Sequence, residues 1–238
     1  RAFLAPLGVQ PIGFIPIAAL TGLNIVARAG EMPWYAGPTV LEQVEAFAKL
    51  RDDPERPFRL PVQDIYKFTD AGDERRIVAG TIQTGRLRGG DELQFRPSGK
   101  SARVRTIEAF PAASQQEAGP GAAVGFTLET QINIRSGELA VRVGETPPQV
   151  GTRFRANLFW MGRAPMIRGK RYKLKLGAAR VPVELAEIRT VLDASELTSV
   201  TGKQQIDRHD VGECILETAR PVAFDRASLL EKTARFYQ

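Results

Sequence analysis

The segment FRLPVQDIYKF (residues 58–68) decides the fold class, because apolar and polar residues largely alternate along it, as they do along a half-buried β-strand. Similar segments follow it, separated by Gly, Pro, Asp and Asn. Short strands with turns at intervals of about 8–12 residues indicate an all-β sandwich or barrel. The following segments are RRIVAGTIQTGRL (75–87), DELQFR (91–96), SARVRTIEAF (101–110), AAVGFTLE (122–129) and GELAVRV (137–143).

A second β region follows a boundary at VGETPPQVGTRF (143–154), which contains a Pro-Pro step. We therefore predict two consecutive antiparallel β-barrels, in residues 51–148 and 149–238, with helix essentially confined to the first 50 residues. The strand-like segments of the second barrel are RFRANLFWM (153–161), YKLKL (172–176), ARVPVELAEIRTVL (179–192) and VGECILETARPVAF (211–224).

Residues 1–50 have a different character, which we interpret as α/β. GFIPIAAL (13–20) is a candidate buried strand. PTVLEQVEAFAKL (38–50) predicts an amphipathic helix that begins near Pro38. RDDPERP (51–57) combines dense charge with two prolines, which is typical of a linker. The predicted apolar stripe of the helix consists of Leu41, Val44, Phe47 and Ala48.

The composition is that of an ordinary globular protein, with 238 residues, 43% hydrophobic and 25% charged. The single Cys214 excludes a disulfide framework and a Cys-based zinc site and favours a reducing compartment, so we expect a cytoplasmic protein. No apolar run approaches the roughly 20 residues that span a bilayer, and no signal-peptide pattern is present, so no membrane association is expected. Because the chain begins at Arg1 in sheet-like sequence, we expect a fragment of a longer protein.

The net charge of +6 comes entirely from residues 149–238, which carry 16 Lys and Arg against 10 Asp and Glu. Five of these basic residues lie in RGKRYKLK (168–175). The favoured interpretation is a strand whose basic side chains face solvent while Tyr172, Leu174 and Leu176 point inward. The alternative is a contact for an acidic or phosphate-rich partner.

Three motifs were considered as sites, and each favours a structural role. SGKS (98–101) resembles part of a phosphate-binding loop, but position 94 is Gln where the loop needs Gly, so a hairpin turn is expected. His209 has no His or Cys neighbours and lies in a sequence typical of a turn. Trp34 and Tyr35 could stack on a base, although packing of their own loop is favoured. We expect no catalytic residue and no metal site.

The ordered segments resemble those of translation-factor-type GTPases, from the end of the GTPase domain through both β-barrels. Within that superfamily the chain is most similar to the GTPase (large) subunits of bacterial ATP sulfurylase (sulfate adenylyltransferase). The opening of the third domain, LFWMGRAP (158–165), lacks the His-Pro-Gly step of elongation factors that carry aminoacyl-tRNA. The general resemblance rests on FIPIAALTGLNI (14–25), MPWYAGPTVLEQVE (32–45), FRLPVQDIYKF (58–68), AGTIQTGRLRGGDELQFRPSGKSARVRTIE (79–108) and AGPGAAVGFTL (118–128), and the sulfurylase resemblance on INIRSGELAV (132–141), LFWMGRAPMIRGKRYKLKLGAARVP (158–182) and HDVGECILETARPVAFD (209–225).

The resemblance implies that residues 1–50 are the C-terminal remnant of a GTPase domain. It places Ala18, Ala19 and Leu20 in the loop that lies against guanine, with Ala18 where the family has Ser. The rest of the site for GTP and magnesium is not encoded in these residues, so no cofactor is expected in the fragment itself.

The function implied by the resemblance is that of a GTPase subunit that couples GTP hydrolysis to adenylyl transfer from ATP to sulfate. The expected partners are a catalytic adenylyltransferase subunit and the chain's own GTPase domain, without nucleic acid. One alternative is a pair of tRNA-binding barrels from an elongation-factor-like GTPase, and another is a stand-alone interaction module.

Overall fold

The computed structural model describes residue 4 and residues 10–48, 55–67, 75–108, 115–193 and 198–237. By their internal contacts the residues divide into two units, Arg1–Arg51 and Asp52–Gln238. The division falls at the charged segment 51–57, of which residues 51–54 lie outside the described part. Within the described ranges, no helix has the length and apolar character that a membrane span requires.

The predicted helix of the first unit forms as α1 (Val40–Glu45), which is shorter than the sequence pattern. Thr39 caps it: the Glu42 N–H donates to Thr39 Oγ1 at 3.2 Å, and the Thr39 N–H donates to Glu42 Oε2 at 2.8 Å. This reciprocal capping box satisfies two amides that would otherwise have no partner, which explains why the helix starts at Val40.

The apolar stripe predicted for this helix is not buried. Leu41, Val44 and Phe47 are all exposed, Phe47 by 57%, and Ala48 is exposed as well. An amphipathic helix buries its stripe only where another element offers an apolar surface. The described residues of the first unit offer no such surface.

The strand predicted at residues 13–20 does not form. The backbone from 13 to 17 is assigned to no strand, and a single isolated bridge joins Ala18 to Leu23. Phe14 and Ile17 are exposed rather than buried. A strand requires a neighbouring strand to pair with its N–H and C=O groups, and the described part of this unit does not supply one.

Residues 59–142 form a closed antiparallel barrel, as predicted, with strand order β1-β2-β7-β5-β4-β8. Pairing of Leu60 with Ala140 joins β8 to β1 and closes it. The remaining strands, β3 and β6, pair with each other. The strands are β1 (Arg59–Lys67), β2 (Arg76–Thr81), β3 (Leu87–Arg88), β4 (Glu92–Arg96), β5 (Lys100–Glu108), β6 (Glu117–Ala118), β7 (Ala123–Leu128) and β8 (Leu139–Arg142).

The second half of this unit is also antiparallel β structure, which confirms the mainly β fold class. One sheet has the order β16-β11-β12-β15-β9, with β13 on β12, and β10 pairs with β14. The four-residue helix α2 lies beyond residue 50, where strands alone were predicted. The elements are β9 (Gln149–Phe159), β10 (Met166–Ile167), β11 (Arg171–Leu176), β12 (Ala179–Asp193), β13 (Thr198–Thr201), β14 (Gln205–Ile206), β15 (Asp210–Phe224), α2 (Glu231–Ala234) and β16 (Phe236–Tyr237).

Each β domain has a hydrophobic core of its own. The barrel core contains Phe58, Phe95 and Phe126, all fully buried. In the second core Met166 of β10 and Ile206 of β14 belong to one cluster with residues of the larger sheet, so the two sheets pack together. Burial of large apolar side chains is the main source of stability for both domains.

Candidate functional site

Residues 18–23 form the loop that the family resemblance places against guanine, and it is a tight turn. The Gly22 N–H donates to the Ala18 carbonyl at 2.8 Å, and the Thr21 N–H donates to the same oxygen at 3.2 Å. Gly22 has a φ of 75°, a left-handed conformation that glycine adopts without strain from a Cβ atom. The turn therefore holds Ala18 at its base and presents Ala19 and Leu20 between its two ends.

Ala19 and Leu20 leave their backbone N–H groups available. In the described part of the chain neither N–H has a hydrogen-bond acceptor, and the Leu20 side chain is 100% exposed. Two free backbone donors can bind a carbonyl oxygen such as that of a guanine base. The guanine contact that the resemblance implies for Ala18, Ala19 and Leu20 stays a prediction, and these two N–H groups are what the loop would offer for it.

Asn24 organises this loop, a role that the sequence analysis missed. Its Nδ2 donates to the Pro16 carbonyl at 2.9 Å, and its Oδ1 accepts from the Ala29 N–H at 2.8 Å. The residue is buried and has a φ of 57°, which Asn tolerates better than most residues. Its carbonyl accepts from the Val40 N–H at 3.0 Å, so it also anchors the first turn of α1. An Asn two residues after a Thr-Gly step was the available clue.

The two neighbouring aromatic residues Trp34 and Tyr35 differ in how far they are packed. The Tyr35 hydroxyl donates to the Pro38 carbonyl at 2.8 Å, so Tyr35 packs its own loop, as favoured. The Trp34 ring is 72% exposed and meets the Tyr35 ring edge to face, with centroids 6.2 Å apart. Packing of its own loop therefore explains the position of Tyr35, whereas most of the Trp34 ring surface makes no such contact and is exposed.

The SGKS segment is a hairpin turn between β4 and β5, as predicted. Gly99 has a φ of 77°, and its N–H donates to the Phe95 carbonyl at 2.7 Å. The Ser98 N–H points at the carboxylate of the buried Glu138, 3.3 Å away. This amide already has a carboxylate oxygen as its acceptor, which argues against a phosphate-binding loop.

His209 and Cys214 also have structural roles. His209 lies in a turn with a φ of 72°, its N–H donates to the Trp160 carbonyl at 2.7 Å, and its ring stacks on Phe159. Burial raises the pKa of the Cys214 thiol to about 12, with a smaller contribution from the charge of Glu213, so the thiol is protonated and unreactive at neutral pH. Among the described residues, no three His, Cys, Asp or Glu side chains are grouped as metal ligands would be.

The basic segment 168–175 follows the favoured interpretation. In β11 the side chains of Arg171, Lys173 and Lys175 are exposed, while Leu174 and Leu176 are buried and Tyr172 is half-buried. This period of two confirms a strand with one solvated face. An additional role in partner contact is compatible with that face.

A buried ion pair joins the two β domains, and no sequence motif predicts it. Arg59 of β1 is fully buried, and its Nε and Nη2 donate to the two carboxylate oxygens of Asp225 at 2.9 and 3.0 Å. Arg59 Nη2 also donates to the Thr146 carbonyl between the domains at 2.7 Å, and Thr233 Oγ1 donates to Asp225 at 2.6 Å. The bidentate geometry and the complete set of partners make this a strong, directional link. The partners are 166 residues apart, so no local pattern could have predicted it.

Comparison with known proteins shows similarity to a GTP-eEF1A-like domain family and to sulfate adenylyltransferase subunits. A family model described as GTP-eEF1A C-terminal domain-like matches residues 153–237. Sulfate adenylyltransferase subunit 1 of Chromobacterium violaceum is 36% identical over 223 residues, which is 94% of this chain and 46% of that relative. The bifunctional enzyme NodQ of Azospirillum brasilense is 35% identical, over 98% of this chain and 37% of the relative. The chain thus spans less than half the length of these curated relatives.

The fold comparison agrees. The crystal structure of sup35 complexed with GDP superposes with a TM-score of 0.70, at 21% identity, over 93% of this chain and 54% of that one. This similarity concerns the fold alone. The sequence relatives and the matched family model support a translation-factor-like GTPase, of which this chain resembles the C-terminal portion.

Proposed function

We propose that this chain is the C-terminal part of a GTPase subunit of sulfate adenylyltransferase. The carrying observation is the 36% identity to a sulfate adenylyltransferase subunit 1 along 94% of the chain, which includes residues of both units. In the proposed reaction sulfate attacks the α-phosphorus of ATP, which gives adenosine 5′-phosphosulfate and pyrophosphate, and GTP hydrolysis in the whole protein drives this transfer. The chemistry takes place on a separate catalytic subunit, and this part of the protein is not catalytic.

In this proposal the chain has three regions with distinct tasks. Residues 1–50 complete the GTPase domain, and Ala18, Ala19 and Leu20 contact the guanine side of GTP. Residues 51–148 and 149–238 are two β domains that move as one rigid arm and dock the catalytic subunit. The Arg59–Asp225 pair supports rigidity, because a buried bidentate ion pair keeps its strength only in one geometry.

GTP and magnesium would be held mainly by residues other than these. The loop offers two free N–H groups, and each hydrogen bond contributes about 0.5–1.5 kcal/mol net. Ordering a ligand costs at least about 4 kcal/mol, so these bonds alone do not retain it. Isothermal titration of the 238-residue chain with GTP and magnesium should therefore give no binding heat, and a micromolar Kd would contradict this account of the pocket.

The central test is association with a catalytic adenylyltransferase subunit. The chain and the catalytic subunit that serves the Chromobacterium violaceum relative should co-elute and sediment as one complex. The matched variant is Arg171→Glu, Lys173→Glu and Lys175→Glu, which reverses the exposed charges of β11 without touching its buried face. If the variant folds but no longer associates, β11 is the contact. If the unaltered chain does not associate, the docking role is wrong.

A second candidate function is tRNA binding by the two β domains. The observation that favours it is the match of residues 153–237 to a domain family named after a translation factor, together with the basic face of β11. Binding to phosphates would weaken steeply with salt, with a slope set by the number of ion pairs. A gel-shift titration with tRNA between about 50 and 200 mM salt decides this, because specific binding in the absence of adenylyltransferase association would favour the translation role.

A further inference from the structure

The first barrel contains a cavity of about 700 Å³ that the proposed function does not use. Residues of β1, β2, β5 and β7 and of segment 131–134 line it. Its volume lies within the range of about 300–1,000 Å³ that is usual for small-molecule sites. Ile65, Val78, Leu128, Ile132 and Ile134 give it an apolar wall, and its charged lining residues are mostly cationic.

The cavity has an excess of positive charge. Four cationic side chains line it, against a single carboxylate, that of Glu108. Glu108 is already engaged: Thr106 Oγ1 donates to it at 2.8 Å, and Arg75 Nη1 lies 3.5 Å away. The other three cations, Lys67, Arg76 and Arg105, form no ion pair in the described part of the chain.

Two of these cations face each other across neighbouring strands. Lys67 of β1 and Arg76 of β2 are direct partners in the antiparallel register, and both line the cavity. Like charges in directly opposite positions destabilise a strand pair. An anion bound between the two cations would convert this repulsion into attraction. Anion binding therefore explains the pairing of two cations, whereas the stability of the barrel does not.

The third cation lies at an irregularity in the barrel. The register of β5 with β7 shifts between Val104 and Thr106, so Arg105 is the extra residue of a bulge. The alternation of buried residues in β5 changes phase at the same point, from Ala102 and Val104 to Ile107. Bulges redirect side chains and are common next to binding sites. Here the bulge brings Arg105 to the same cavity as the hydroxyl of Thr106.

We propose that this cavity binds the tetrahedral oxyanion of a small molecule, a sulfate or phosphate group, through Lys67, Arg76 and Arg105. Guanidinium groups bind such oxyanions through paired N–H donors, and the lysine adds a compact charge. The apolar wall accommodates the remainder of an esterified ligand. This oxyanion site does not rest on the proposed function, because the residues that carry it all lie in the first barrel and are argued from its geometry alone.

The test is calorimetric titration of the 238-residue chain with sodium sulfate, sodium phosphate and glycerol phosphate at constant ionic strength set by chloride. Thermal shifts alone are insufficient, because sulfate stabilises most proteins without a site. We expect binding of at least one oxyanion, and the three titrations distinguish a free anion from an ester. Arg105→Gln should weaken binding about fivefold, and the triple variant Lys67→Gln, Arg76→Gln, Arg105→Gln more than tenfold, since each contact to a charged group contributes substantially.

The matched control removes the same charge elsewhere, with Lys173→Gln, Lys175→Gln and Arg180→Gln, all exposed in the second β domain. It should leave binding within twofold. Without ligand, Lys67→Gln should keep or raise the melting temperature, because it removes a repulsion. The proposal is overturned if no oxyanion binds, or if the control weakens binding as much as the triple variant does. It is also overturned if an RNA oligonucleotide binds at the cavity while all three small anions do not. A lower melting temperature for Lys67→Gln alone would contradict it as well.

Discussion

Residues 10–48 and the first barrel use apolar residues in opposite ways. In the barrel, fifteen buried apolar residues form one cluster, including three fully buried phenylalanines. In residue 4 and residues 10–48 the buried residues are Asn24 and Thr39, and their apolar neighbours Leu20, Trp34 and Phe47 are exposed. Polar contacts shape the first region, whereas a core shapes the second. The difference shows that an apolar pattern becomes a core only where the chain brings a second apolar surface to it.

Removal of one phenylalanine from each region tests this difference most directly. Phe126→Ala in the barrel should lower the free energy of unfolding by about 3–5 kcal/mol, because it leaves a cavity at a fully buried position. Phe47→Ala, at a position 57% exposed, should change it by less than about 0.5 kcal/mol. Urea unfolding followed by fluorescence measures both. Equal effects would mean that residues 10–48 contain a core after all.

The barrel pattern was predictable because it is local. The longer strands of 59–142 show their buried faces within five to nine residues, as in Leu93 and Phe95 of β4, and glycines mark several turns. The strand predicted at 13–20 failed because its formation depends on a pairing partner. The Arg59–Asp225 pair was unpredictable for a related reason, because it depends on contact between residues that are distant in sequence. The pairing of Lys67 with Arg76 was unpredictable because it depends on the exact register of two neighbouring strands.

A second prediction concerns the link between the two cored domains. Arg59→Met should lower the free energy of unfolding by about 3 kcal/mol, because Asp225 stays buried without its counter-ion. The control is Arg171→Met, which breaks an exposed pair with Glu184 and should cost less than about 0.5 kcal/mol. Calorimetric unfolding also measures the coupling between the two β domains. If this pair joins the domains, the Arg59 variant should unfold in two separate transitions. A loss below 1 kcal/mol with one transition would contradict that role.

Asn24 tests the polar side of the comparison. Asn24→Ala removes three side-chain hydrogen bonds, one of them from Nδ2 to Met32 Sδ, and leaves the Ala29 N–H and the Pro16 carbonyl without partners. We expect a local loss of about 1–2 kcal/mol, visible as faster hydrogen exchange at the amides of Ala29 and Val40. Asn24→Asp keeps the acceptor for Ala29 and should protect that amide while the contact to Pro16 is lost. Unchanged exchange in the alanine variant would show that other contacts hold this loop.

Cys214 reports on the second core through its pH dependence. Burial raises its pKa to about 12, so the folded state holds the thiol proton more tightly than the unfolded state does. The contribution is fully present below the unfolded pKa of about 8.5 and is lost as pH rises toward 12. Between pH 8 and 11 the unaltered protein should therefore lose more stability than Cys214→Ala, as measured by urea midpoints. Parallel pH profiles would show that the thiol is not in a protected core.

The smallest effect is expected on the solvated face of β11, where the comparison between core and surface recurs within one strand. Lys173→Glu and Lys175→Glu together should change the free energy of unfolding by less than about 0.5 kcal/mol, because exposed charges are hydrated and screened. Leu174→Ala, between them and almost fully buried, should cost about 2–5 kcal/mol. Urea unfolding of both variants at about 150 mM salt is the measurement. If the charge reversals lower the free energy of unfolding as much as Leu174→Ala does, the lysines contribute to packing and the period-two assignment of this strand is wrong. If they leave it unchanged, this face is free for a partner.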